Sequence, residues 1–177
     1  MKKCFIIISL IIVFLIIYLL ETNLFLWFNL SSIKPNLFLV LVLVIGLFGG
    51  KALGCSLGIF FGICLDFFIG KNIGIGAIML GIIGFIGGYL DEKFSKDSRI
   101  TMMLIIALTT IIYEIGTYTL NVFLNSAHVE IVSFIKILLT EVIFNLILTI
   151  IIYPLIIKFG YKIEENFKEK RILTRYF

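Results

Sequence analysis

The chain has 177 residues, of which 61% are apolar and only 15% charged, with a formal net charge of +4. Its mean hydropathy is +1.18, whereas a soluble domain carries about 25% charged residues and a small one has too little interior to hide so much apolar side chain. That balance excludes a soluble enzyme, a nucleic-acid-binding domain and a secreted disulfide scaffold, and it points to a small multi-pass membrane protein.

A membrane-spanning helix takes roughly 20 residues, and charged or Gly/Pro punctuation marks off six apolar stretches. The first covers about 5–20. Lys2 and Lys3 precede it as in a signal peptide, but no Ala-x-Ala follows and Glu21-Thr22-Asn23 comes next, so it reads as a retained helix. Cys4 lies before the apolar run and is therefore no lipoprotein acylation site. Leu24-Phe25-Leu26-Trp27-Phe28 follows, either an interfacial segment or a continuation of the first helix, with Trp27 suited to the membrane–water boundary. The second stretch is 35–49, the third 52–69, the fourth 73–90, the fifth 100–124 and the sixth 131 to about 159.

With the N-terminus inside, twelve of the fifteen Lys and Arg fall in inner segments, while the outer loops hold only Lys34 and Lys71. The positive-inside rule then gives six spans with both termini cytoplasmic. Lys136 sits near the outer end of the sixth span, from where it can snorkel. The domain reading is one transmembrane helical domain, 1–160, followed by a charged cytoplasmic tail, 161–177, expected to form a polar helix along the anionic inner leaflet. The basic pI near 9.0 is thus mostly a topology signal.

Glycine spacing is the most informative internal pattern. Gly46, Gly50, Gly54, Gly58 and Gly62 fall at four-residue intervals. On one helix such positions drift by only about 40° per step. Gly54, Gly58 and Gly62 therefore line one face of the third span, and Gly84 and Gly88 carry the theme into the fourth. Lipid supplies no hydrophobic drive between helices, so faces without side chains serve close backbone packing or a groove for a partner helix.

Ionisable groups inside a membrane span are costly and are candidates for function. Asp66 lies near the outer end of the third span, roughly on the glycine face. Glu114 sits mid-way along the fifth, in a stripe with Thr110, Thr117, Tyr118 and Asn121. Glu141 lies well inside the sixth, with Asn145 and Thr149 at four-residue steps. These stripes are expected to turn inward and join the fifth and sixth spans along a hydrogen-bonded polar seam.

Other patterns carry no chemistry. Gly54-Cys55-Ser56-Leu57-Gly58 matches a nucleophile elbow, but that motif needs a strand-to-helix turn and a histidine partner, and the single histidine, His128, falls at the opposite face. Asn29-Leu30-Ser31 is too short to signify glycosylation. Cys4, Cys55 and Cys64 form no CxxC pair and read as small apolar residues. No metal site, cofactor motif or catalytic constellation emerges.

From 20 to 90 the order of residues goes beyond composition: Leu20-Glu21-Thr22, then Ile33-Lys34-Pro35-Asn36-Leu37, then Gly46-x3-Gly50, then Gly58-Ile59-Phe60-Phe61-Gly62-Ile63-Cys64-Leu65-Asp66 and Gly84-x2-Gly87-Gly88. This pattern resembles the rod shape-determining protein MreD family. The resemblance implies a non-catalytic scaffold of the bacterial cytoplasmic membrane that serves cell elongation and lateral peptidoglycan synthesis. It implies an MreC-like bitopic partner, together with a RodA/PBP2-type peptidoglycan synthase and an MreB-like filament. Pro35, Gly62 and Asp66 match family-motif positions without a catalytic role. Glu21 stands where glutamine is more often found, a departure that leaves any hydrogen bond there unassigned.

The fold is thus expected to be all-α, a bundle of about six transmembrane helices similar to the substrate-capture subunits of energy-coupling-factor transporters. Small-molecule capture by such a subunit is the alternative function. Those subunits commonly carry an Ala-x3-Ala patch on the first helix, which here contains no alanine.

Overall fold

A computed structural model describes residues 2–24, 36–69, 74–91, 94, 98–125 and 131–167. Among them are six α-helices: α1 (Lys2–Leu19), α2 (Leu37–Gly49), α3 (Lys51–Ile69), α4 (Ile75–Leu90), α5 (Arg99–Asn125) and α6 (Ile131–Phe167). A wider π-type turn, Leu20–Leu24, prolongs α1. Helices α3, α5 and α6 are long and apolar enough to cross a membrane, and α1, α2 and α4 are shorter apolar helices.

Helix α2 is the axis of the bundle. At 13 residues it is only about 20 Å long, yet 11 of those residues are buried. Asn36 caps its start, its side chain accepting from the Leu39 amide at 3.0 Å, as an N-cap asparagine should. Gly50 ends it with φ of +91°, a left-handed backbone that glycine adopts without penalty. That single residue reverses the chain into α3.

The most extensive pairing is α3 against α4, followed by α2 against α4. Helix α1 closes one side by placing the Phe14 ring against Phe61 at 4.7 Å and Phe38 at 5.1 Å. Helices α5 and α6 close the other. The Phe48 ring packs where Gly160 has no side chain, and Met79 fills the equivalent gap at Gly116. Large apolar residues such as Phe67, Ile100, Leu104, Leu108 and Ile151 cover the outside, as lipid contact requires.

Helix α6 extends past the expected boundary near 159 to Phe167. Pro154 lies within it and is exposed, so the ring and the unmatched carbonyl it leaves one turn earlier fall on the outer surface. Beyond Gly160 come Lys162, Glu164 and Glu165, which are good helix formers in water, so the helix continues where the apolar run stops. Residues 168–177 of the charged tail lie outside the described residues, as do Pro35, Trp27 and His128.

Candidate functional site

Two constellations organise the bundle. In the first, glycines of three helices meet backbone to backbone. A Cβ placed on Gly54 would fall on the Gly84 carbonyl and within 2.6 Å of the Gly46 Cα. One on Gly58 would strike the Leu80 carbonyl, and one on Gly62 would strike the Ala77 backbone. Gly84 and Gly88 return the contact, facing Gly54 and Lys51 respectively. The glycine face of α3 is thereby filled by α4 and α2.

Asp66 closes one end of this contact. It is half-buried, and its carboxylate accepts three amides at the start of α4: Gly74 at 2.8 Å, Gly76 at 3.2 Å and Ala77 at 3.2 Å. The first amides of a helix have no partner within it, and the helix dipole adds attraction for a negative group. Two glycines make the fit. Gly74 has φ of +106°, and a Cβ at Gly76 would collide with the Asp66 carboxylate. Asp66 therefore locks the α3–α4 hairpin at the end opposite Lys51 and Gly88.

The second constellation surrounds the start of α2. Asn145 is fully buried, with Oδ1 accepting the Asn36 amide at 2.8 Å and Nδ2 donating to Thr110 at 3.1 Å. Glu21, on the wider turn after α1, accepts the Leu37 amide at 2.8 Å. Tyr113, Glu114 and Glu141 lie close to Asn36 at the same end of α2. Thr149 donates to the Asn145 carbonyl at 2.6 Å, and Asn121 to the Thr117 carbonyl at 2.8 Å. The Thr117 hydroxyl is buried without a partner.

The polar stripes of α5 and α6 thus meet, and what they surround is the N-terminus of α2. Asn36, Glu21 and Tyr113 are the members that the sequence pattern left out of the site. An asparagine after proline and before an apolar run is itself a helix-start signal. Glu21 stands 16 residues away from the amide it caps, and no local pattern announces that contact.

Among the described residues the Thr117 hydroxyl is the buried side-chain group left without a hydrogen-bond partner. Among the described residues there is no cluster of His, Cys, Asp and Glu fit to hold a metal. The side-chain hydrogen bonds tie the start of α2 to the turn after α1 and to α6, and α6 to α5.

The model of the family described as rod shape-determining protein MreD matches residues 1–163. The chain belongs to the MreD family. No curated protein and no solved structure matches it. In this MreD-family chain the motif Lys34-Pro35-Asn36-Leu37 leads into α2, and Asn36 supplies its cap. The Gly58–Asp66 motif supplies the backbone contact with α4 and the carboxylate that ends it.

The Glu21 contact makes a prediction. Glutamine keeps the carbonyl oxygen that accepts the Leu37 amide, so Glu21→Gln is expected to change stability by less than about 0.5 kcal/mol. Glu21→Leu strands a buried amide and is expected to cost about 1–3 kcal/mol. Thermal denaturation of both variants in the same detergent measures the difference.

Proposed function

We propose that the protein is a non-catalytic scaffold of the cell-elongation machinery in the bacterial cytoplasmic membrane, acting through an MreC-like bitopic partner. Family membership over residues 1–163 is the observation that carries the reading. A RodA/PBP2-type peptidoglycan synthase and an MreB-like filament are the further members of the assembly. The interior supports this role, because its polar groups are spent on joining helices and its glycine faces on backbone contact.

All six helices span the membrane in this reading, with both termini cytoplasmic. The end of the bundle marked by Lys51, Gly88 and Arg99 is then the inner end, and the end marked by Glu21, Asn36 and Asp66 the outer one. The twelve-to-two division of Lys and Arg supports that orientation, as does the placement of Arg99 over the Tyr153 ring and of Lys51 over the Tyr89 ring. Aromatic and basic residues of this kind anchor helices at a membrane interface.

Depletion of the protein tests the function. Rod-shaped host cells are expected to widen and round up while the protein runs out. Cells that keep their width and elongation rate would contradict the proposal. Orientation is tested separately by single-cysteine labelling in a background lacking Cys4, Cys55 and Cys64. A cysteine at position 175 is expected to resist an impermeant reagent in intact cells, and labelling there would reverse the topology.

A further inference from the structure

The α5–α6 hairpin rises well above the start of α2. Helix α6 runs beside α2, with Gly160 against Phe48 near one end and Asn145 bonded to the Asn36 amide at the other. Fourteen further residues lead from Asn145 back to Ile131, about 21 Å along the helix axis, beyond an α2 that is itself only about 20 Å long. The polar residues of the hairpin give a second measure of height. Lys158 and Lys136 stand 22 residues apart on α6, and so do Arg99 and Asn121 on α5. Each interval is about 33 Å, close to the thickness of a hydrocarbon core, about 30 Å. The Tyr118 and Phe134 rings, 4.2 Å apart, join the two helices at the outer boundary so defined, a level that suits tyrosine. Beyond Asn121 and Lys136 the hairpin is apolar and exposed at Val122, Phe123, Leu124, Ile131 and Val132, with Phe123 at 87% and Val132 at 80%.

We propose that this tip is a docking surface for the membrane-proximal extracytoplasmic segment of a bitopic partner. Two observations select that occupant. The first is height: the tip stands past the hydrocarbon on the outer side, where acyl chains do not cover it, and apolar residues exposed together in water mark an interaction surface. A single-span protein packed beside the hairpin crosses this level as its chain leaves the membrane. The second is charge. Lys136 is exposed and is the single charged residue of α5 beyond Glu114 and of α6 before Glu141. The complementary surface is therefore an apolar face carrying a carboxylate on its membrane side, opposite Lys136, and such a pair fixes the register of docking.

The proposal rests on the scaffold reading and on the orientation with both termini cytoplasmic. It is tested with the full chain and the host's full-length MreC-like protein. Val132→Cys, in the background lacking Cys4, Cys55 and Cys64, is expected to react with an impermeant maleimide in intact cells depleted of the partner, and to react at least fivefold more slowly when the partner is present. No reaction in either case would mean that lipid covers the tip, and equal reaction in both that nothing docks there; either result would overturn the proposal. Phe123→Ala with Val132→Ala is expected to lower partner recovery on co-purification at least fivefold without changing the melting temperature. Lys136→Glu is expected to lower recovery similarly and Lys136→Arg to retain it. Leu108→Ala with Ile147→Ala, on exposed faces of the same helices at mid-membrane, is expected to leave recovery unchanged. An equal loss in that control would overturn the site as well. Failure of the unmodified chain to recover the partner counts against the scaffold reading itself, and the labelling of position 175 reports the orientation separately.

Discussion

Gly58→Leu is expected to remove the folded protein from the membrane. The reason lies in what the new side chain would meet. A Cβ at this position already strikes the Leu80 carbonyl of α4 and lies 3.0 Å from a Val42 methyl of α2. Overpacking costs about 1–3 kcal/mol where neighbouring side chains can shift. Here the obstacle is backbone on a helix held to α3 at three further positions, where Gly54 meets Gly84, Gly62 meets Ala77 and Lys51 meets Gly88, so about 3 kcal/mol or more is expected. Helices in lipid are joined chiefly by close packing and hydrogen bonds, and no hydrophobic reserve offsets the loss. Folded protein after detergent extraction, read by monodispersity and melting temperature, measures the effect. Phe60→Leu supplies the control, since Phe60 is half exposed on the lipid side of the same helix and should change little.

Asp66→Leu is expected to be nearly as severe. Three amides of α4 lose their acceptor together, and each buried donor left unpaired costs about 1–3 kcal/mol. The expected total is about 3 kcal/mol or more. Asp66→Asn is expected to fall between, at about 1–2 kcal/mol, because one oxygen still accepts while its amide group faces a donor in place of an acceptor. Partner co-purification normalised to membrane expression should follow the same order. Should Asp66→Asn abolish function with folding and partner binding intact, Asp66 would need its ionised carboxylate for chemistry, and its role as a helix lock would be insufficient.

Most helix positions could be read from the sequence, because charge and Gly/Pro punctuation mark where an apolar run meets water. At the end of α6 the apolar run and the helix part company. Lys162, Glu164 and Glu165 end the apolar run, but they are good helix formers, so the helix goes on to Phe167. Punctuation marks the edge of a membrane more directly than the end of a helix.

The candidate site shows a similar division. The four-residue spacing of Gly54, Gly58 and Gly62 specifies a face without side chains, and Asp66 follows on that face. Which backbones fill it depends on tertiary order. Gly46 of α2 and Gly84 of α4 both reach Gly54, a three-helix meeting that no single helix pattern contains. The stripe from Glu141 to Thr149 likewise indicates an inward polar face on α6. Its partner at Asn145 is the start of α2, more than a hundred residues earlier in the chain. Glu21 caps α2 only because the wider turn at Leu20–Leu24 carries the chain past the end of α1. Local residue types give the donors and acceptors, and their pairing belongs to the assembled bundle.

As proposed, the protein is a scaffold that acts through a bitopic partner and holds no small-molecule substrate. Affinity purification of the full chain from its native membrane, followed by mass spectrometry of both proteins and bound small molecules, tests it most directly. The expected result is stoichiometric recovery of an MreC-like bitopic protein with no small molecule enriched over a membrane-protein control, lipids apart. Recovery of a vitamin-type molecule at one per chain, with no bitopic partner, would contradict the account and point to substrate capture for a transporter.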